Sequence, residues 1–91
     1  MNLEKLLSII ADKVESGEKE SYISVLFQKG QDRILQKVGE EAIEVIIAGK
    51  NRNKKEIIYE TSDLIFHLLI FLYSNKIDLK EIFTELERRK K

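Results

Sequence analysis

The chain contains no cysteine and no proline, and its 91 residues carry no net charge, with 16 basic and 16 acidic side chains. Without cysteine there are no disulfides and no thiolate metal ligands, which fits a reducing compartment such as the cytoplasm. The balanced charge leaves no basic excess with which to bind a nucleic acid or another polyanion. These absences predict a cytoplasmic protein that does not bind nucleic acid.

Long hydrophobic runs are also lacking. The longest, Leu64–Tyr73, is interrupted by His67 and is much shorter than the roughly 18 residues of a membrane span. The N-terminal MNLEKLLSIIADK places acids and lysines inside its apolar pattern and lacks the apolar core of a signal peptide. The length suits one modest hydrophobic core, so we expect residues 1–91 to form a single domain that does not enter a membrane.

Apolar side chains recur with helical spacing along the chain, which predicts an all-α fold of about five helices. The predicted segments are about Leu3–Glu15, a short helix between Ser21 and Gly30, about Asp32–Ala48, about Lys54–Ser74, and a last helix after Asp78. Ser21 and Asp78 are predicted helix caps, and Glu81 would complete a capping box with Asp78. Gly49 and the following KNRN are predicted to form the turn of an antiparallel hairpin between the third and fourth helices.

Acidic side chains are concentrated on the two helices of this hairpin. In KVGEEAIEV, Glu40, Glu41 and Glu44 lie within roughly 100° on one side of the third helix. Glu60 and Asp63 lie about 60° apart on one side of the fourth helix. The acidic patches of the two helices lie at nearly the same height above the turn, so they should face each other. Like charges about 6 Å apart repel by roughly 3 kcal/mol at an effective dielectric of about 20. Five carboxylates therefore require either protonation or a bound cation.

Oxygen ligands without cysteine favour a hard cation, Mg²⁺ or alternatively Mn²⁺. Mg²⁺ keeps coordination positions for water and phosphate, so such a site suits phosphoanhydride chemistry. The competing interpretation is a solvated acidic face, but neither Glu60 nor Asp63 has a lysine or arginine three or four positions later. His67 shares their face, although a lone histidine in an apolar helix is most often a hydrogen-bonded core residue.

Three basic residues precede the acids. Lys29, Arg33 and Lys37 recur every four residues and would form a stripe if a single helix ran through them. Such a stripe is commonly just a solvated face. Beside an acidic metal site it could instead hold phosphates, and we predict these three residues as substrate contacts.

The segment SYISVLFQKGQDRILQKVGEEAIEV, followed by YETSDLIFHLL and the closing ELERR, resembles the phosphoribosyl-ATP pyrophosphohydrolase family. The resemblance covers about residues 21–89. The acidic pattern, EExxE followed by ExxD, is shared with the wider all-α nucleoside-triphosphate pyrophosphohydrolases, including MazG-type and dimeric dUTPase-type enzymes. The narrower resemblance rests on SY, LF.KG and KVGEE. Ser62 stands where the family more often has alanine, which is a change between small residues.

The resemblance implies hydrolysis of 1-(5-phosphoribosyl)-ATP to phosphoribosyl-AMP and pyrophosphate, the second step of histidine biosynthesis. Site and resemblance together predict Glu41, Glu44, Glu60 and Asp63 as Mg²⁺ ligands. Glu40, or a carboxylate that shares the site such as Glu41, would take a proton from the attacking water. Which carboxylate is the base stays open from sequence.

Apolar side chains surround nearly the whole circumference of the third and fourth helices. This apolar surface is larger than three further amphipathic helices can cover. This predicts a homodimer in which two hairpins form a four-helix core. The resemblance agrees, since these enzymes are typically dimers, and in many organisms the domain is fused to a cyclohydrolase catalysing the next step. Here that cyclohydrolase would be a separate protein. Two alternative functions stay open: a house-cleaning pyrophosphohydrolase acting on other nucleotides, and a non-catalytic helical dimerisation module.

Overall fold

The computed structural model describes residues 1–90, which form five α-helices and no strand. The helices are α1 (Leu3–Ser16), α2 (Tyr22–Lys29), α3 (Gln31–Lys50), α4 (Lys54–Ser74) and α5 (Leu79–Arg88). The all-α prediction is confirmed, and α4 has the predicted bounds. The last residue of the predicted domain, Lys91, lies outside the described residues.

Local sequence signals set several of the helix ends. The Ser21 side chain caps α2 by accepting an amide N–H three residues later. Asp78 and Glu81 form the predicted capping box at the start of α5. Gly17 and Gly30 have φ values of 64° and 96°, a backbone conformation that residues with a side chain rarely adopt. The chain therefore leaves α1 and α2 at these glycines.

The turn between α3 and α4 differs from the prediction. α3 continues through Gly49 to Lys50, whereas the sequence pattern predicts that it ends at about Ala48. The reversal is confined to residues 51–53, and the side chain of Asn53 caps α4. Arg52 adopts the left-handed conformation with φ 54°, so the reversal does not need the conformational freedom of Gly49.

α3 and α4 pack as the predicted antiparallel hairpin and make the most extensive contact of any helix pair. At the open end, Ser74 Oγ donates to Gln31 Oε1 over 3.0 Å, and Gln31 Nε2 donates to Asn75 Oδ1 over 3.3 Å. Halfway along, Glu41 of α3 meets acidic side chains of α4. The start of α3 thus lies beside the end of α4, which aligns the acids of the two helices.

The hydrophobic core lies at the open end of this hairpin, where α1 and α2 cover it. Its buried side chains are Ile10, Ile23, Leu26, Ile34, Leu69 and Ile70. α5 contributes no buried side chain within residues 1–90. The half of the hairpin next to the turn is left uncovered, and large apolar side chains are exposed there.

α4 also has the length and hydropathy of a membrane-spanning helix. A single helix with this property is weak evidence for a membrane, because core helices of soluble proteins share it. Glu60 and Asp63 lie within its length and face a third carboxylate on α3. Acids at that position favour the expectation of a chain that does not enter the membrane, since ionised side chains are costly in lipid.

Candidate active site

Three carboxylates converge between the two hairpin helices. One carboxylate oxygen from each of Glu41, Glu60 and Asp63 lies within 4.8 Å of the other two. Glu41 projects from the middle of α3 and is buried, whereas Glu60 and Asp63 are half-buried on α4. Glu60 and Asp63 are three residues apart and hence on one face of their helix, which lets both approach Glu41.

This donor set fits a hard divalent cation. All three donors are carboxylate oxygens, the ligands that Mg²⁺ and Mn²⁺ prefer. Oxygens bound to one Mg²⁺ at about 2.1 Å lie about 3–4 Å apart, so small side-chain rotations would close the cluster around an ion. The acidic triad can therefore hold a metal ion, as the sequence pattern indicated.

The cluster is electrostatically strained without a cation. Burial raises the pKa of Glu60, and the negative charges of Glu44, Glu41, Asp63 and Glu56 raise it further. Each of these acids makes the ionised form of Glu60 less favourable. A bound cation would reverse this effect by favouring the ionised carboxylates.

The other two predicted acids lie outside the three-residue cluster. Glu40 is exposed and points along α3, where Gln36 Nε2 donates to it over 3.2 Å and Lys37 Nζ lies at 3.4 Å. Glu44 is exposed one turn from Glu41 towards the hairpin turn, and its charge acts on Glu60. Side-chain orientation on a helix surface, which periodicity does not specify, explains why the five acids do not form one equal patch.

The predicted basic stripe is interrupted. Lys29 is the exposed last residue of α2, and the left-handed backbone of Gly30 breaks the helix before Arg33. Arg33 and Lys37 share α3 and are half-buried on the approach to the acids. The ammonium of Lys37 lies 3.3 Å from Glu41 Oε1, which ties the basic residues directly to the acidic cluster.

Lys37 stays protonated in this environment. Burial acts to lower its pKa, but the hydrogen bonds to Glu41 and Glu40 and the neighbouring Tyr22 outweigh burial and raise it. A fixed positive charge therefore lies at the edge of the cluster, where it offsets part of the repulsion between the acids.

His67 is a buried residue with both ring nitrogens engaged, in agreement with the core interpretation. Its Nδ1 lies 2.7 Å from the main-chain oxygen of Asp63, and its Nε2 lies 2.8 Å from the hydroxyl of Tyr22. The sequence pattern does not predict this contact, because Tyr22 lies 45 residues from His67 and on another helix. The available signal was that a buried histidine needs a second hydrogen-bond partner, but the sequence does not indicate which hydroxyl supplies it.

The chain is thus an all-α protein in which an antiparallel helix hairpin carries facing carboxylates that can hold a metal ion, with a lysine beside them. A sequence model of the phosphoribosyl-ATP pyrophosphohydrolase family matches residues 3–90. The chain belongs to this family, and it is an enzyme, a hydrolase acting on a phosphoanhydride bond.

Individual relatives agree over nearly the whole chain. It is 44% identical over 89 residues to phosphoribosyl-ATP pyrophosphatase of Clostridium novyi, covering 98% of this chain and 81% of the relative. The corresponding protein of Geobacter metallireducens is 47% identical over 87 residues, covering 96% and 80%. Histidine biosynthesis bifunctional protein HisIE of Caldanaerobacter subterraneus is 52% identical over 89 residues, covering 98% of this chain and 43% of the relative.

Proposed function

We propose that the enzyme hydrolyses the α–β phosphoanhydride of 1-(5-phosphoribosyl)-ATP, giving phosphoribosyl-AMP and pyrophosphate, in the second step of histidine biosynthesis. The observation that supports this proposal most directly is the convergence of Glu41, Glu60 and Asp63 in a chain of this family. One water is consumed. Its oxygen bonds to the α-phosphorus, the bond from that phosphorus to the α–β bridging oxygen breaks, and pyrophosphate leaves. The substrate is a soluble metabolite and the chain has no cysteine, so we place the reaction in the cytoplasm.

The metal ligands would be Glu41, Glu60 and Asp63, with Glu44 as a fourth. Glu44 is exposed and one turn from Glu41, so rotation of its side chain is unhindered by packing. Mg²⁺ held by these oxygens would neutralise phosphate charge and orient the anhydride. The choice of Mg²⁺ over softer ions is supported by a donor set made only of carboxylates.

Glu40 is the proposed general base, with Glu41 as the alternative. Glu40 lies outside the three-residue cluster, so its carboxylate is free to accept a proton while the others bind the ion. Lys37 and Gln36 hold Glu40 in place through the contacts described above. A base needs a fixed position within hydrogen-bond reach of the attacking water, which this anchoring helps to provide.

The basic residues would bind the phosphates that the acidic centre does not reach. The substrate carries a triphosphate and a separate phosphate on the added ribose, so it presents two anionic ends. Arg33 and Lys37 lie together on α3 next to the acids and are the stronger candidates. Lys29, at the end of α2, would contact a more distant phosphate.

We propose further that the enzyme is a homodimer. The uncovered half of the hairpin supports the dimer, because Ile46 is 64% exposed and Tyr59 is 66% exposed in a single chain. Further exposed apolar side chains on α3 and α4 include Ile43, Ile47, Ile58, Ile65 and Leu68. A patch of this kind marks an interface in a soluble protein, and pairing two hairpins would bury it.

Single substitutions in the acidic cluster test the assignment. Asp63→Asn and Glu60→Gln keep side-chain size and remove charge, so both should lower turnover by orders of magnitude while far-UV circular dichroism stays helical. Glu87→Gln, on exposed α5, is the matched control and should leave turnover unchanged. Wild-type turnover in Asp63→Asn would refute the proposed centre.

A further inference from the structure

A hydrogen-bonded chain links the start of α2 to the acidic centre. The Tyr22 hydroxyl lies 2.8 Å from His67 Nε2, and His67 Nδ1 lies 2.7 Å from the main-chain oxygen of Asp63. His67 is 5% exposed and is the single histidine of the sequence. Asp63 is also a member of the carboxylate cluster.

The direction of each hydrogen bond follows from the chemistry of the partners. A main-chain oxygen only accepts, so His67 Nδ1 must carry the proton that it shares with Asp63. In the neutral ring the unprotonated Nε2 then accepts, and the Tyr22 hydroxyl donates to it. Burial raises the pKa of Tyr22, which keeps the phenol protonated and able to donate, although Lys37 and Arg33 act in the opposite direction.

Aromatic packing holds these groups in place. The Tyr22 ring stacks on Phe66 with a centroid distance of 6.3 Å and an interplanar angle of 25°. The imidazole of His67 meets both rings edge-on, at 5.8 Å from Tyr22 and 5.3 Å from Phe66. The position of the hydroxyl is thus determined by α4, even though Tyr22 itself is half exposed.

Tyr22 also lies among the charged groups of the site. Lys37, Arg33, Glu41 and Asp63 all act electrostatically on its phenol. Because its proton is committed to His67, the phenol oxygen can only accept hydrogen bonds on the side that faces these groups. The Tyr22–His67 pair therefore holds the turn of α4 that carries Asp63. It also places a hydrogen-bond acceptor, the Tyr22 oxygen, at the edge of the acidic cluster.

We propose that Tyr22 and His67 are positioning residues of the active site, which hold Asp63 and the start of α2 in the geometry required for metal binding and turnover. The turnover part of this inference rests on the proposed function, whereas the metal-binding part does not. Outer-shell partners of metal ligands typically contribute 10–100-fold to metal affinity or activity. We expect about tenfold here, because the contact to Asp63 is through its main chain.

The test compares variants that differ in one hydrogen bond. Tyr22→Phe keeps the ring and removes the donor, and Tyr73→Phe, which removes a hydroxyl that bonds Glu15 at the far end of α4, is the matched control. His67→Gln keeps an acceptor for Tyr22 near the Nε2 position but loses the donor to Asp63, whereas His67→Asn keeps an amide donor near the Nδ1 position but loses the acceptor for Tyr22. We expect Tyr22→Phe, His67→Gln and His67→Asn, each of which breaks one of the two hydrogen bonds, to raise the Mg²⁺ concentration for half-maximal thermal stabilisation about tenfold, and to lower kcat about tenfold with little change in KM.

Tyr73→Phe should remain close to wild type in both measurements. A purely structural role would lower the melting temperature of Tyr22→Phe but leave its half-maximal Mg²⁺ concentration unchanged, and that result would overturn the proposal. Wild-type behaviour of both His67 variants would overturn it as well.

The single histidine permits a direct spectroscopic test. In wild-type protein labelled with ¹⁵N-histidine, the neutral ring should show a protonated Nδ1 and an unprotonated Nε2, and Tyr22→Phe should shift the Nε2 resonance. A protonated Nε2 in the neutral ring would contradict the proposed hydrogen bonds. The Mg²⁺-dependent thermal stabilisation and the ¹⁵N spectra use no nucleotide, so they separate failure of the positioning pair from failure of the proposed reaction.

Discussion

Removing the charge of Glu41 should change stability in opposite directions with and without a divalent cation. Glu41→Gln preserves the size of the side chain at the buried position of the cluster. Without metal it relieves repulsion from Asp63, at the cost of the ion pair with Lys37. With Mg²⁺ it removes a ligand, so the bound ion stabilises the variant less than wild type.

The magnitudes follow from the distances. Two like charges 4.8 Å apart, the limit for Glu41 and Asp63, repel by about 3.5 kcal/mol at an effective dielectric of about 20. Solvent at the half-buried Asp63 reduces this to roughly 2 kcal/mol, and loss of the partly exposed ion pair with Lys37 costs about 0.5–1 kcal/mol. The metal-free variant should therefore gain about 1 kcal/mol, equivalent to about 4–8 °C in Tm for a domain of this size.

Mg²⁺ reverses the order of stability of wild type and Glu41→Gln. At a concentration of about 100 times Kd, the ion stabilises wild type by about 2.7 kcal/mol. If loss of one ligand weakens binding about 100-fold, the same concentration stabilises Glu41→Gln by only about 0.4 kcal/mol. Wild type should then be more stable than the variant by about 1 kcal/mol.

Thermal denaturation in EDTA and in saturating Mg²⁺ measures both halves of this prediction. Glu87→Gln controls for the change in net charge, since its carboxylate lies on exposed α5, and should show the wild-type response to Mg²⁺. A variant that is destabilised in EDTA and gains as much as wild type from Mg²⁺ would refute the reasoning.

Three further predictions concern pH, assembly and substrate binding. Because the pKa of Glu60 is raised in the folded state, the folded protein binds a proton more strongly than the unfolded chain. The Tm in EDTA should thus rise as the pH falls from neutral towards about 4.5, whereas the Tm in Mg²⁺ should fall because protons compete with the ion. Size-exclusion chromatography with light scattering should give about twice the 10.7 kDa chain mass. Ile46→Glu should halve that mass, and Ser8→Glu, which adds the same charge on α1, should not. Arg33→Met should raise KM about tenfold with kcat nearly unchanged, since a hydrogen bond to a charged group contributes about 1.5 kcal/mol; equal KM values for Arg33→Met and the control Lys50→Met would contradict a phosphate contact.

Helix positions were predictable because their signals are local. The bounds of α4 and the capping box of Asp78 and Glu81 depend on residues within one turn of each other. Gly49 shows the limit, since its neighbours permitted a turn there but the structure places the reversal at Arg52. Either residue could have ended the helix, and periodicity does not choose between them.

The site was predictable to the level of the backbone. Helical geometry and a short turn suffice to bring Glu41 opposite Glu60 and Asp63, which lie at similar heights in the hairpin. The Tyr22–His67 contact spans 45 residues and depends on how α2 packs against α4. Local pattern contains no information on that packing, so the contact was not predicted.

Pyrophosphate release from 1-(5-phosphoribosyl)-ATP, measured beside ATP and dUTP with and without Mg²⁺, tests the central claim most directly. The proposed function predicts that phosphoribosyl-ATP gives stoichiometric pyrophosphate and phosphoribosyl-AMP in the presence of Mg²⁺, with little turnover of ATP or dUTP. EDTA should abolish the reaction, because the carboxylates would then lack the cation that compensates the phosphate charge. Faster hydrolysis of ATP or dUTP would indicate a house-cleaning enzyme, and no turnover of any nucleotide in Mg²⁺ would contradict the account.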